Sequence, residues 1–147
     1  MDGEIMSRRN AREQALVLLY QCDLRKKSPA EIWEDFQTGY DPKEEGALLL
    51  DEKDLLFAKT ELEGAWAHRE EIDETISRSS HSWEVGRLSA TLRAALRLAV
   101  YELNFREDIP KEVTANEAVE LAKAYDGPRG ASLVNGILSG VLRGTKE

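Results

Sequence analysis

The apolar side chains of this chain recur every three or four residues over most of its length. One stripe runs along the first third of the chain, and a wider one runs between residues 89 and 105. This spacing places apolar side chains on one face of a helix, whereas no stretch shows the strict alternation of a half-buried strand. The sequence therefore predicts an all-α fold. The members of the first stripe are Ala11, Ala15, Leu18, Leu19 and Cys22.

About seven helices are expected, in a single domain over residues 1–147 with flexible ends at 1–6 and 144–147. The first helix is predicted from about residue 8 to 24, with Ser7 as its N-cap, and the second follows the capping box Ser28–Glu31. A third is predicted over about 51–68, a fourth through Ile72 and Ile76, and a central one over about 89–105. The sixth begins with a capping box at Thr114–Glu117 and ends at Asp126-Gly127-Pro128, and the last carries Leu133–Val141. In the third helix, Leu55, Leu62 and Trp66 are predicted to face inward.

Several classes of function are excluded by what the sequence lacks. The single cysteine, Cys22, cannot form an internal disulfide, and with two histidines it leaves too few ligands for a metal centre. Phosphate-binding glycine loops and a Gly-x-Ser-x-Gly nucleophile motif are absent. No segment is long and apolar enough to span a bilayer, and no signal-peptide pattern is present. We therefore expect a cytoplasmic protein without a metal centre.

The formal net charge of −8 is unevenly distributed. Residues 31–74 carry a net charge of −11, whereas residues 1–27 carry +2 and residues 75–147 carry +1. Because salt screens exposed charges over about 8 Å at physiological ionic strength, the acidic middle does not forbid a basic patch elsewhere. Nucleic acid thus remains a candidate partner for the N-terminal segment.

Arg8, Arg9 and Arg12 are predicted to lie in or just before the first turn of the first helix. Cations at this end oppose the helix macrodipole, so helix stability does not explain them. Guanidinium groups bind phosphate in a bidentate manner and stack on bases, which favours an RNA-binding role. A frayed, solubilising helix end is the alternative.

Four segments of the chain resemble the NusB family of transcription antitermination factors. They occur in the family's order and span nearly the whole chain, although residues from about 25 to 80 match only in helical pattern. The segments are Ser7–Tyr20 with the letters SRRNAREQALVLLY, Leu92–Leu103 with LRAALRLAVYEL, Ile109-Pro110 followed by Asn116–Lys123, and Val134–Leu138 with VNGIL.

The resemblance implies a helical domain of two three-helix halves plus an extra helix. It also implies binding of boxA-type single-stranded RNA in ribosomal-RNA transcripts, jointly with NusE, a small-subunit ribosomal protein. The pair would then load onto the elongating RNA polymerase complex and suppress premature termination. The resemblance further implies that the chain is not an enzyme and needs no cofactor. Whether the chain is a monomer or a homodimer stays open.

Carried over position by position, the resemblance implies two groups of RNA contacts. The first comprises Arg8, Arg9, Arg12 and Tyr20, with Asn10 at a position that is often basic in the family. The second lies at the start of the last helix, where this chain has Arg129 in place of an acidic or small polar residue and Leu133 in place of phenylalanine. Asn135 is expected to be a buried amide.

The resemblance places the NusE-binding surface on the central helix and the helix that follows it. This implicates Leu92, Lys111, Glu112 and Glu117, of which Glu117 is also the expected capping-box carboxylate. Two rival functions stay open from the sequence. The chain could be the NusB-like RNA-binding domain of a ribosomal-RNA cytosine methyltransferase, or a helical protein-interaction module without RNA affinity.

Overall fold

The computed structural model describes the backbone of residues 2–80 and 85–144, and the side chains of residues 8–80 and 85–144. Every regular element in these ranges is helical, which confirms the predicted fold class. The predicted flexible end at 144–147 lies almost entirely outside them. The elements are α1 (Asp2–Arg25), α2 (Pro29–Gly39), α3 (Glu52–Ala67), α4 (Arg69–Ser79), a short 3₁₀ turn (Val85–Arg87), α5 (Ala90–Phe105) and α6 (Lys111–Gly144).

The helices form two compact units, Met1–Trp66 and Ala67–Glu147. The first unit holds α1, α2 and α3. The second holds α4, α5 and α6, and α6 is broken at Gly127, so that seven helical segments follow one another along the described chain. That residues 1–147 act together as one RNA-binding domain stays a prediction.

The predicted stripe of α1 forms much of the first unit's core. Ala11, Ala15, Leu19 and Cys22 are all fully buried, so the cysteine is a small core residue. Helix α1 begins at Asp2, however, and not at residue 8 behind Ser7 as predicted. The helix pattern was recognised correctly, but its start was placed about two turns too late.

Reciprocal caps fix the starts of α2 and α3. The predicted box at Ser28 is present, since the Glu31 amide donates to Ser28 Oγ over 3.2 Å and the Ser28 amide donates to Glu31 Oε1 over 3.3 Å. At α3, the Asp54 amide donates to Asp51 Oδ1 over 2.8 Å, and the Asp51 amide donates to Asp54 Oδ2 over 3.2 Å. Each pair satisfies amides that a helix start leaves without an intrahelical acceptor.

The inward face of α3 differs from the predicted one. Leu62 is buried as expected, but Leu55 and Trp66 are only half-buried. The buried positions form a stripe that is rotated relative to the predicted stripe and that includes two carboxylates. They are Asp54, Phe57, Ala58, Glu61, Leu62 and Ala65.

Helix α5 is the centre of the second unit and packs against α4 and α6. Its predicted stripe is confirmed, with Leu96 and Val100 fully buried. Two arginines interrupt the stripe, and both have partners within the unit. Arg97 donates from Nε and Nη2 to the two carboxylate oxygens of Asp73, over 2.8 and 2.7 Å, and Arg93 donates from Nη1 to the carbonyl of Leu88 over 3.1 Å.

Two glycines shape α6. Gly127 has φ 72° and ψ −171°, a conformation that only glycine adopts without strain, and it divides the helix where Asp126-Gly127-Pro128 predicted a stop. A Cβ at Gly140 would lie 3.1 Å from the carbonyl oxygen of Ser79, so this glycine permits close packing of α6 on α4. None of the helices within residues 2–80 and 85–144 combines the length and the apolar character needed to cross a bilayer.

Candidate nucleic-acid interface

The α1 arginine cluster, Arg8, Arg9 and Arg12, lies beyond the first turn of its helix. Because α1 begins at Asp2, the prediction that these arginines occupy the first turn is wrong. Their opposition to the macrodipole is correspondingly weaker, since that effect fades within one turn. Their chemistry depends instead on what they contact.

Arg8 and Arg12 both place their guanidinium groups over the ring of Phe57 on α3. The guanidinium carbon is 4.3 Å from the ring centroid for Arg8 and 5.2 Å for Arg12. The two arginines are four residues apart on α1, so they share the side of the helix that faces this ring. The first unit therefore brings two of the three arginines of the α1 arginine cluster together on one aromatic side chain.

The three arginines differ in their exposure to solvent. Arg8 and Arg9 are half-buried, whereas Arg12 is only 5% exposed. In the protein without RNA, Arg12 is therefore a packed core arginine, and its contact with RNA stays a prediction. Phe57 itself is 7% exposed.

Sequence reasoning did not identify Phe57 as part of this site. The apolar residues of α3 do recur with a helical period, but the predicted inward face comprises Leu55, Leu62 and Trp66 and does not include Phe57. Steps of four back from Ala65 lead through Glu61 to Phe57, but the charged Glu61 interrupts the apolar pattern on that face. Nothing in the sequence, however, indicates that the ring meets arginines from another helix.

Asn10 anchors the segment that precedes α3. Its Nδ2 donates to the carbonyl oxygen of Leu49 over 3.3 Å. Tyr40 holds the same segment, donating from its hydroxyl to the Leu48 carbonyl over 2.7 Å and accepting from the Leu50 amide over 3.1 Å. The Asn10 amide thus links α1 to the loop before α3, beside the arginine cluster.

The helix cap formed by Asp51 changes the pKa of its own carboxyl group. The hydrogen bond from the Asp54 backbone amide is the largest cause that lowers the pKa of Asp51, with smaller contributions from the Asp54 side chain and Lys53. The carboxylate form is favoured because it accepts the amide hydrogen at the positive end of α3. This cap fixes the start of the helix that carries Phe57.

Tyr20 lies on α1 but away from the arginine cluster. Twelve residues separate it from Arg8, about 18 Å along the helix axis at 1.5 Å per residue. It is half-buried. Its predicted contact with RNA would therefore concern a different part of the strand.

Arg129 and Leu133 belong to the second unit, on the part of α6 that follows the break at Gly127. Arg129 is exposed and Leu133 is half-buried. Asp126, just before the break, accepts hydrogen bonds from the hydroxyls of Ser89 and Thr91 over 3.0 and 2.6 Å. These bonds tie the break to the start of α5 and so fix where the second part of α6 begins.

The four predicted partner contacts divide into two exposed and two buried residues. Lys111 and Glu112 are exposed at the start of α6, whereas Leu92 and Glu117 are 8% and 7% exposed. Leu92 packs against α6 near Gly130, since a Cβ on Gly130 would lie 3.2 Å from its Cδ2.

The predicted capping box at Thr114–Glu117 is wrong, because α6 begins at Lys111. Thr114 is buried inside the helix and donates from its hydroxyl to Glu102 of α5 over 2.8 Å. The Thr-x-x-Glu pattern thus supports contacts between helices here. Asn135 is exposed, so its expected burial is also wrong.

The chain is similar to known proteins over almost its whole length. The NusB family model matches residues 9–143. The transcription antitermination protein NusB of Symbiobacterium thermophilum is 42% identical over 141 residues, which are 96% of this chain and 92% of that protein. The solved T. maritima NusB is 34% identical with a TM-score of 0.78, covering 92% of this chain and 90% of its own. A chain in the crystal structure of antitermination factors NusB and NusE in complex with dsRNA is 28% identical with a TM-score of 0.79, covering 94% and 97%.

Proposed function

The chain belongs to the NusB family of transcription antitermination proteins, and we propose that it binds boxA-type single-stranded RNA of ribosomal-RNA transcripts together with NusE and loads onto elongating RNA polymerase. It acts as an RNA-binding factor in the cytoplasm, where transcripts are made, and not as an enzyme. The occurrence of a similar chain in a complex of NusB, NusE and RNA supports both partners.

The observation that carries this proposal is the α1 arginine cluster. In a chain of net charge −8, Arg8 and Arg9 are partly exposed beside each other, and Arg8 is held against an aromatic ring. A partly exposed guanidinium of fixed position suits phosphate, which it can bind through two parallel N–H donors. The cluster is small, so RNA affinity of the chain alone is expected to be weak.

Further RNA contacts are proposed for Tyr20, Arg129 and Leu133. Arg129 is exposed at the start of a helical segment, where backbone amides also favour an anion. Leu133 has no ring to stack on a base, so we assign it only apolar contact. Tyr20 is half-buried and presents at most part of its ring.

NusE is proposed to contact the start of α6. Lys111 and Glu112 are exposed there and offer charges of both signs. Leu92 and Glu117 are buried in the protein alone, so we assign them a supporting role beneath that surface. Two weak RNA-binding surfaces, one on each protein, would bind one strand more tightly than either does alone.

The test is a titration of fluorescent boxA RNA with the chain, with NusE and with both. We expect weak binding by the chain alone, a clear gain with NusE, and a preference over a scrambled strand of equal composition. A hairpin duplex of the same sequence completes the set, because the related solved complex contains double-stranded RNA. Absence of any gain with NusE, or equal affinity for the scrambled strand, would contradict the proposal.

A matched pair of double variants isolates the charge at the arginine cluster. Arg8→Ala with Arg9→Ala should lower the slope of log affinity against log salt by about 1.4, at roughly 0.7 per single-strand phosphate. Arg25→Ala with Lys27→Ala removes the same charge at the far end of α1, where Arg25 lies about 25 Å from Arg8 along the helix axis. Both control residues pair with Asp35 on the surface, at 3.5 and 3.8 Å. We expect the control to keep the wild-type slope.

A further inference from the structure

The ring of Phe57 provides one surface for two guanidinium groups. Arg8 approaches it to 4.3 Å and Arg12 to 5.2 Å, and the ring is itself almost completely buried. Cations are attracted to the face of an aromatic ring by its quadrupole, most strongly where water is excluded. The two arginines and the ring therefore restrict one another's orientation.

The consequence for Arg8 is a planar group with one side covered. A guanidinium that lies over a ring still has N–H donors at its edge, because the ring contacts its face. Arg8 is half-buried, unlike Arg12, so part of it is still open to solvent. An open guanidinium plane is a surface on which an unpaired base can stack, as bases do on arginine planes in single-stranded RNA recognition.

We infer that Phe57 is a positioning residue of the RNA site, which holds the Arg8 guanidinium so that one unpaired base of the RNA stacks on its open side. The inference rests on the proposed function, since it takes RNA to be the ligand. Arg12 contributes by fixing the ring from within the core. A flipped or unpaired base, and not the phosphate alone, is then what Arg8 recognises, which favours single strands over duplex.

A purely structural role for Phe57 makes a different prediction from a positioning role. If the ring only fills the core, its replacement alters stability and leaves the RNA affinity of the folded protein unchanged. If the ring positions Arg8, its replacement lowers affinity while the salt dependence stays the same, because no charge has been removed. Affinity and salt slope together separate the two roles.

The first experiment compares Phe57→Leu, Phe57→Tyr, Arg8→Lys and the double variant Phe57→Leu/Arg8→Lys, titrated with labelled boxA RNA in the presence of NusE. Phe57→Leu and Arg8→Lys should each lower affinity on the order of tenfold, the size of one lost stacking contact, with the wild-type salt slope. The double variant should be no weaker than either single one, because both remove the same stack. Phe57→Tyr keeps the ring and should restore binding.

The second experiment locates the base. A series of boxA strands, each lacking one base but keeping its phosphate, is titrated against the wild type and Arg8→Lys. At one position, removal of the base should make the two proteins bind equally, because the stack is then absent from both complexes. This comparison does not depend on Phe57→Leu, so it decides the question even if that variant fails to fold.

Several results would overturn the inference while leaving the proposed function intact. They are wild-type RNA affinity for Arg8→Lys, wild-type affinity for a folded Phe57→Leu, losses that multiply in the double variant, or a strand series in which no position equalises the two proteins. Failure of the proposed function looks different, because the wild type itself would then show no preference for boxA RNA with NusE present. Thermal melts and NusE binding of each variant establish which proteins are folded.

Discussion

Helices α1 and α5 each carry two arginines spaced four residues apart, but only the α1 pair shares an aromatic ring. On α5, Arg93 donates to the carbonyl of Leu88 and Arg97 forms two hydrogen bonds with Asp73. On α1, Arg8 and Arg12 lie over the ring of Phe57. Oxygen partners occupy the N–H donors of a guanidinium, whereas a ring occupies only its face. The first arrangement stabilises a fold, and the second can also present an arginine to a ligand.

The largest effect is expected at the α5 pair. Arg97 is 7% exposed and Asp73 is partly exposed, so Arg97→Ala leaves the carboxylate without its guanidinium partner but within reach of water. We expect a cost of about 2–4 kcal/mol of unfolding free energy, somewhat less than for a fully buried pair. Chemical denaturation measures this. Arg97→Met combined with Asp73→Leu removes both charges and should be much less destabilising. If the double variant is as unstable as Arg97→Ala, the loss of stability comes from lost packing and not from the unpaired Asp73 carboxylate.

A smaller loss of stability is expected at Arg12. Its side chain is 5% exposed and lies over Phe57, so Arg12→Ala should cost about 1–3 kcal/mol through lost packing and lost ring contact. Arg12→Lys keeps the charge and a long aliphatic stem and should recover part of this. If Arg12→Ala instead keeps wild-type stability and reduces the RNA salt slope, Arg12 binds RNA directly. Arg12 and Arg8 would then have the same role.

The sequence predicted helices far better than it predicted the partners of these arginines. The period of α5 identified Leu96 and Val100 as core residues, because apolar periodicity is a local property that survives folding. The two arginine pairs have the same spacing, and what distinguishes them lies on other helices, at Asp73 and Phe57. Such long-range contacts leave no periodic trace in a single sequence.

The errors in the sequence predictions have related physical causes. Thr114 and Glu117 match a capping box, yet α6 starts earlier and Thr114 bonds to Glu102 of α5, because tertiary contacts can satisfy the same polar groups. The start of α1 was placed at Ser7, but α1 begins at Asp2. A local cap pattern therefore shows where a helix can begin, and the surrounding structure decides whether it does.

Arg8 should matter less for stability than Arg12, one turn away. It is half-buried and lies over the Phe57 ring, so Arg8→Ala should lower the unfolding free energy by about 0.5–1 kcal/mol, the size of a partly exposed cation–π contact. The RNA salt slope should fall by roughly 0.7 for the single phosphate contact that is lost. Thermal melts and a salt series on the same preparation provide both values. Equal stability losses in Arg8→Ala and Arg12→Ala would mean that their different exposure has no energetic consequence.

The smallest effect concerns pH and the cap of the helix that carries Phe57. The Asp54 amide lowers the pKa of Asp51 below its ordinary value of about 3.9, so the folded protein binds this proton less readily than the unfolded chain. The contribution of Asp51 to stability is therefore complete above that ordinary value and is lost as the pH falls through the lower pKa of the folded state. Because Asp51 is exposed, we expect acid to lower the stability of α3 only slightly. The loss is measured as smaller hydrogen-exchange protection factors for its amides, after correction for the intrinsic pH dependence of exchange.

Asp51→Asn is the matched control, because asparagine also caps helices but has no proton to bind in this range. The protection factors of its α3 amides should depend less on pH over the acid range. Those of α5, which has the hydroxyl of Ser89 as its cap, should respond alike in both proteins. Identical acid limbs in the two proteins would assign the effect to other carboxylates. A difference confined to α3 would show that acid destabilises the helix that carries Phe57 and leaves α5 unchanged. The two arginine sites would then differ in their acid sensitivity, in a measurement that involves no RNA.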